Sequence, residues 1–149
     1  MKVKELLTRD LTAIESDATV EELVCLLEAS GLSGVPVVDA EGKVIGFISE
    51  RDVIEAALPG YFEALAAPED PLGQLAQKYH QIKDKRVEEL MTRDVVTVTE
   101  EDDGVTVADL MIKKNLKVVP VLDPTGRLAG VVRRIDLLQH CFITEAGDD

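Results

Sequence analysis

The segment from Gly34 to Asp52, GVPVVDAEGKVIGFISERD, returns 84 positions later as VVPVLDPTGRLAGVVRRID from Val118 to Asp136. The register holds without a gap through Pro36/Pro120, Asp39/Asp123, Gly42/Gly126, Gly46/Gly130 and Asp52/Asp136, and upstream through Thr8/Thr92, Arg9/Arg93 and Asp10/Asp94. Such a period means two copies of one supersecondary unit. A unit this small buries too little apolar surface by itself, so the two copies are expected to pack face to face. A cleft between pseudo-symmetric copies is a natural place for a ligand, and function is sought there.

Each copy reads as β-α-β-β-α, a mixed α/β (α+β) class. Thr12–Ala13–Ile14 is a short extended piece. Thr19-Val20-Glu21-Glu22 has the Thr-x-x-Glu form of a capping box and opens a helix whose Leu23, Leu26 and Leu27 share a face, closed by Gly31. The runs Val35–Asp39 and Lys43–Ile48 are strands joined by a tight turn around Ala40-Glu41-Gly42, which the second copy reaches through Asp123-Pro124-Thr125-Gly126. Pro36 suggests an edge or strand-start position. A last helix runs from about Glu50 to Leu58 and stops at Pro59–Gly60. Residues 59–86 belong to neither copy. They hold Pro59, Pro68 and Pro71, then Leu72, Leu75, Ala76, Tyr79 and Ile82 at helical spacing, which predicts an inserted helix over 69–83 lying on the module. The chain thus divides into a first repeat (1–58), an inserted linker (59–86), a second repeat (87–143) and an acidic tail (144–149).

With 149 residues, 46% of them hydrophobic, the chain can bury a real core. No apolar run is long enough to span a bilayer and no signal-peptide pattern opens the chain, so a cytoplasmic protein without membrane insertion is expected. Cys25 and Cys141 sit in helix-like segments without paired spacing and read as small buried apolar residues. Sixteen Lys and Arg against twenty-nine Asp and Glu give a net charge of −13. That field repels polyanions and argues against a nucleic-acid polymer as partner. A single nucleotide needs only two or three donors, which local Arg or Lys and a helix N-terminus can supply. Catalysis has little support: His80 and His140 lack metal-ligand spacing, no GxSxG, HExxH or Walker loop occurs, and no serine has an identifiable base.

The succession of a short strand, a capped helix, PVVD, a Gly turn, G-x-x-S-x-x-D and a closing helix resembles the cystathionine beta-synthase (CBS) domain, and two in tandem resemble a Bateman module. The resemblance covers both repeats, and Gly46-Phe47-Ile48-Ser49-Glu50-Arg51-Asp52 lies near the family's ideal. It implies a regulatory pair with pseudo-twofold symmetry that binds AMP, ADP, ATP or S-adenosylmethionine between the repeats, with no catalytic cofactor and no metal. Carried over by position, one pocket uses Phe47, Ser49, Arg51 and Asp52 with Val96, Lys117 and Val118. The other uses Val131, Arg133 and Asp136 with Thr12, Leu32 and Ser33. An ionised carboxylate can accept both hydroxyls of a ribose, the part given to Asp52 and Asp136. Ser49 can hydrogen-bond ribose or phosphate, Arg51 offers a fork for phosphate, Lys117 favours phosphate-bearing ligands, and apolar side chains such as Val96 and Val118 enclose a purine.

Ser-x-x-Asp also reads as a helix cap. The second copy bears on the choice: Arg133 replaces Ser49, which removes the reciprocal cap, and yet Asp136 remains. Ligand binding is therefore favoured for Asp52 and less so for Asp136. Arg133 either reaches a phosphate or folds across the cleft and excludes nucleotide, whereas Arg134 reads as a solvated surface charge. Gly104 stands where the first copy has Val20 and weakens the helix start. The family suggests a homodimer, with Leu23, Leu26, Leu27, Leu110, Met111 and Leu116 as apolar faces that could meet across a two-fold axis. Its output would be read in trans by an enzyme, channel or transporter. The alternative is a ligand-free dimerisation or protein-interaction module.

Overall fold

The computed structural model describes residues 1–57 and 71–140. The expectations for Leu58, Pro59, Gly60, Pro68, Cys141 and the tail fall outside these residues, as do those for the side chains of Leu72 and Leu75. The elements run β1 (Ile14–Glu15), α1 (Val20–Ser30), β2 (Gly34–Val38), β3 (Val44–Ser49), α2 (Glu50–Ala57), α3 (Pro71–Ile82), α4 (Val87–Leu90), β4 (Val98–Thr99), α5 (Gly104–Lys113), β5 (Val118–Leu122), β6 (Leu128–Arg133) and α6 (Arg134–Gln139). A 3-10 turn at Val3–Glu5 precedes them. The mixed α/β class and the β-α-β-β-α order stand in both copies, and α3 is the inserted helix.

The chain packs as two compact units. The Asp52 unit comprises Ala13–Ala40 and Ile45–Asp94; the Asp136 unit comprises Met1–Thr12, Glu41–Val44 and the chain from Val95 onward. Each unit therefore takes its leading segment from in front of the other repeat. Val3 and Leu6 are buried with Val98, Val107, Met111, Val119, Val121 and Val132. Val87 and Met91 are buried with Ile14, Val20, Leu23, Leu27, Val35, Val37 and Ile48.

Each unit holds a three-stranded sheet, ordered β1-β2-β3 or β4-β5-β6. β1 pairs parallel with β2 through Ile14↔Val37 and Glu15↔Val38, and β4 with β5 through Val98↔Val121 and Thr99↔Leu122. β5 and β6 are antiparallel, with Pro120 opposite Val131. The Val-rich runs are continuous and not alternating because the central strand is covered on both faces: Val35, Val37, Val119 and Val121 have no exposed surface. Pro36 accordingly lies inside the central strand, not at an edge or start. It is tolerated because the parallel pairing begins only at Val37, so no β1 residue stands opposite the missing donor.

The helices start and stop as their ends dictate. The Thr19 side chain accepts from the Glu22 amide at 3.2 Å, and the Gly31 amide closes α1 on Leu27 O at 2.9 Å. α5 opens on Asp103, whose Oδ1 accepts from the Val105 amide at 2.9 Å. Gly104 has a packing reason: a Cβ there would lie 2.7 Å from Leu6 Cδ1, so glycine makes room for the leading segment instead of merely weakening the helix. Gly42 and Gly126 take φ of 82° and 86° in the two hairpin turns, a conformation that side chains disfavour.

Three expectations are corrected by the burial. Cys25 is exposed, because α1 turns Val20, Leu23 and Leu27 inward and position 25 falls on the other side. Leu23, Leu27 and Met111 are spent in their own cores, with Leu26, Leu110 and Leu116 packed against them, so they form no free face. The large apolar side chains left outside include Ile54 on α2, Val105 and Ile112 on α5, and Ile135 and Leu138 on α6. Of the inserted helix, Ile82 is buried and Tyr79 packs against the Asp52 core, but Ala76 is exposed. Among the described residues no helix is long and apolar enough to cross a membrane.

Candidate functional site

In both units the third strand runs straight into a helix, and the acidic residue three positions into the turn reaches back to it. In the Asp52 unit, Asp52 Oδ2 accepts from the Ser49 amide at 2.9 Å and from Ser49 Oγ at 3.2 Å. This is a helix cap, with the carboxylate also favoured by the first-turn dipole. Only one oxygen is engaged: among the described residues nothing donates to Asp52 Oδ1, and the side chain is half-buried. Phe47 and Leu32 are half-buried and Ser33 is exposed, with Ser33 O holding the first amide of α2, that of Glu50, at 2.9 Å. Arg51 is exposed and turned along its own helix, Nε lying 2.8 Å from Glu55 Oε1.

The Asp136 unit has the same frame with different chemistry. Asp136 is 8% exposed, the buried acidic side chain of its core. Its Oδ2 accepts from the Arg133 amide at 2.8 Å and from Arg133 Nε at 3.1 Å; its Oδ1 accepts from Arg133 Nη2 at 2.9 Å and from Thr8 Oγ1 at 3.1 Å. Arg133 Nη2 also donates to Thr8 Oγ1 at 3.3 Å. Burial acts to raise this carboxyl, but the Arg133 hydrogen bonds and charge, with the Thr8 hydroxyl, outweigh it and hold Asp136 below the ordinary carboxylate range. Replacing Ser49 by Arg133 therefore did not remove the cap. The acid still accepts the first amide, so the persistence of Asp136 is explained without a ligand.

The other expected residues carried by this unit make no hydrogen bond in that network. Thr12 donates its amide (2.9 Å) and hydroxyl (2.6 Å) to Asp10 Oδ1, and those two bonds foremost lower the Asp10 carboxyl, with the Arg133 charge adding to them. Val131 is buried, Val96 packs against the core, Val118 is half-buried and Lys117 is exposed. Arg134 is exposed yet not simply solvated: Nε donates to Leu116 O at 2.8 Å and Nη2 to Asn115 Oδ1 at 3.1 Å. Thr8 and Asp10 join this network although no motif in the sequence marks them. Their repetition as Thr92 and Asp94 is the signal the sequence offers, and Thr8 meets Asp136 only because the leading segment packs onto the second repeat.

That packing also accounts for the glycine shared by the two G-x-x-[S/R]-x-x-D segments. Thr8 and Val131 exchange backbone hydrogen bonds at 2.8 and 2.9 Å, and Thr92 and Phe47 do the same at 2.8 and 3.0 Å. A Cβ on Gly130 would lie 2.5 Å from Thr8 O, and one on Gly46 would lie 2.6 Å from Met91 Sδ and 2.9 Å from Thr92 O. Among the described residues no group of three or more His, Cys, Asp and Glu is gathered to hold a metal ion.

The comparisons with known proteins agree with this architecture. The profile of the CBS domain matches residues 3–59 and 87–142. An inosine-5'-monophosphate dehydrogenase from Methanocaldococcus jannaschii is 30% identical over 99% of this chain, which spans 25% of that protein's length. The crystal structure of the CBS domain pair of protein MJ0100 in complex with 5'-methylthioadenosine and S-adenosyl-L-methionine covers 100% of this chain and 98% of its own, at 26% identity and a TM-score of 0.68. CBSX2, solved in complex with AMP, shares the fold with a TM-score of 0.73 at 21% identity, covering 97% of this chain and 98% of its own. With both repeats matched, the chain belongs to the CBS-domain family, as a tandem pair of such domains.

Proposed function

We propose that the chain is a regulatory module that senses an adenosine-containing ligand, AMP, ADP, ATP or S-adenosylmethionine. The observation that carries this reading is Asp52: half-buried at the start of α2, it keeps Oδ1 free of partners among the described residues while Oδ2 serves the Ser49 cap. A carboxylate held in that way retains acceptor capacity for a ribose hydroxyl. The adenosine ligands of the 26% identical MJ0100 pair support the same class. Phe47, Ser49 and Asp52 are the residues of the first copy that support this reading, with Arg51 as a phosphate-side cation once released from Glu55. Val131, Arg133 and Asp136 hold the corresponding positions of the second copy, where the surroundings of the acid differ. The module does no chemistry itself. A ligand that favours one arrangement of the pair over another shifts that equilibrium, and a cytoplasmic partner (an enzyme, channel or transporter) reads the shift in trans.

Calorimetric titration with AMP, ATP and S-adenosylmethionine tests it. Asp52→Ala should cost roughly 1.5–3 kcal/mol of affinity, about ten- to a hundredfold, and unchanged affinity removes Asp52 from the site. A melting screen is the efficient first step, because ligand at a hundred times its Kd adds about 2.7 kcal/mol. A second reading, a dimerisation or docking module indifferent to nucleotide, draws on the exposed Val105 and Ile112 of α5 and Ile135 and Leu138 of α6. The same face serves a homodimeric sensor.

A further inference from the structure

We propose that Arg133 is a built-in plug: its guanidinium takes the place on Asp136 that a ligand's sugar would take, so the second copy's carboxylate is self-liganded and excludes nucleotide. The inference rests on reading the Asp52 and Asp136 positions as sugar-binding carboxylates, and it decides between two roles for Arg133, phosphate contact or occlusion.

A carboxylate offers two oxygens, and both are taken. Arg133 reaches Oδ2 through its amide and Nε and Oδ1 through Nη2, and Thr8 adds a hydroxyl on Oδ1. Two of these are charge-assisted bonds from one planar fork, stronger than what neutral ribose hydroxyls can offer in exchange. Asp136 is also 8% exposed, so an entering sugar would have to remove the fork before reaching either oxygen. An anionic ligand fares no better at drawing Arg133 away, since Asp10 adds its charge to that of Asp136 in holding it. The first copy lacks each of these features: Ser49 is too short to cover Asp52, its hydroxyl and amide share one oxygen, and Arg51 pairs with Glu55. Thr8 and Asp136 lie 128 positions apart, so the plug also ties the start of the chain to its last described helix.

The test counts sites. Isothermal titration of the parent and of Arg133→Ser, the residue of the first copy, with AMP and separately with S-adenosylmethionine should show one further equivalent bound by the variant. Arg133→Gln, which keeps the length and loses the charge, should show the same gain and serves if the serine variant fails to fold. Without ligand, the Arg133 Nε–H should give a slowly exchanging NMR resonance that shifts in Asp136→Asn. A parent that already fills two sites, an unchanged number of sites in both variants, or a rapidly exchanging Nε–H overturns the plug. If the parent binds nothing and the variants bind one equivalent, the plug stands and the sensor reading at Asp52 fails. If Asp52→Ala abolishes binding to the parent and the Arg133 variants add nothing, the sensor reading stands and the plug fails.

Discussion

Truncating the two equivalent acids separates their structural burdens without any ligand. Asp136→Ala removes an acceptor for four hydrogen bonds and leaves Arg133, its amide and the Thr8 hydroxyl without their partner. The amide is a lost cap of about 1 kcal/mol. The charged bonds are worth roughly 1.5–3 kcal/mol each when shielded, but the Arg133 side chain is 44% exposed and water recovers much of that. The sum is about 2–4 kcal/mol, or a fall in Tm of roughly 5–14 °C for a chain of this size. Asp52→Ala removes one cap oxygen from a half-exposed serine, about 1 kcal/mol and a few degrees. Because folding holds the Asp136 carboxyl below its unfolded value, its contribution is complete above the unfolded value of roughly 4. It is lost as pH falls through the lower, folded value. The gap in Tm between parent and Asp136→Ala, followed by calorimetry from pH 7 into acid, should therefore narrow as the pH falls below the unfolded value. Equal costs for the two substitutions would refute the assignment of inequivalent acids.

Gly130→Ala should destabilise by about 2–4 kcal/mol, because the methyl meets the Thr8 carbonyl, which accepts from the Val131 amide and cannot yield without disturbing that bond and the one the Thr8 amide donates to Val131 O. Gly46→Ala should cost less in the same urea titration, since the nearest atom there is the flexible Met91 thioether. Ile112→Glu, at a side chain 81% exposed, should leave the unfolding midpoint within about 0.5 kcal/mol of the parent. In sedimentation the homodimer proposed above should become a monomer; a dimer that survives excludes α5 from that proposal.

Much of the architecture was legible from the sequence because it is local. The capping threonine of α1, the Gly turns at Gly42 and Gly126 and the Val-rich runs each declare their element within a few residues, and the 84-residue repeat says that the elements come twice. The candidate pair Ser49 and Asp52 was legible for the same reason. Pro36 was misjudged because the rule against proline in a central strand concerns the donor at one position, and β1 is too short to reach it. Cys25 and the helix leucines were misjudged because apolar spacing marks a face without saying which neighbour covers it.

What the sequence by itself determined was the pair: two copies of β-α-β-β-α, each with an acid three residues into a helix start. What only tertiary structure decided was which acid keeps an oxygen without a donor among the described residues. The leading segment carrying Thr8 and Asp10 packs on the other repeat, and the arginine at position 133 folds back onto Asp136 while Ser49 leaves an oxygen of Asp52 open. The Arg133 and Ser49 contacts span three positions and are local; the leading-segment contacts, such as Thr8 on Asp136 across 128 positions, are encoded by no local propensity. They arise because a small unit completes its core with apolar residues from a distant part of the chain, and the polar side chains carried along settle where burial requires partners.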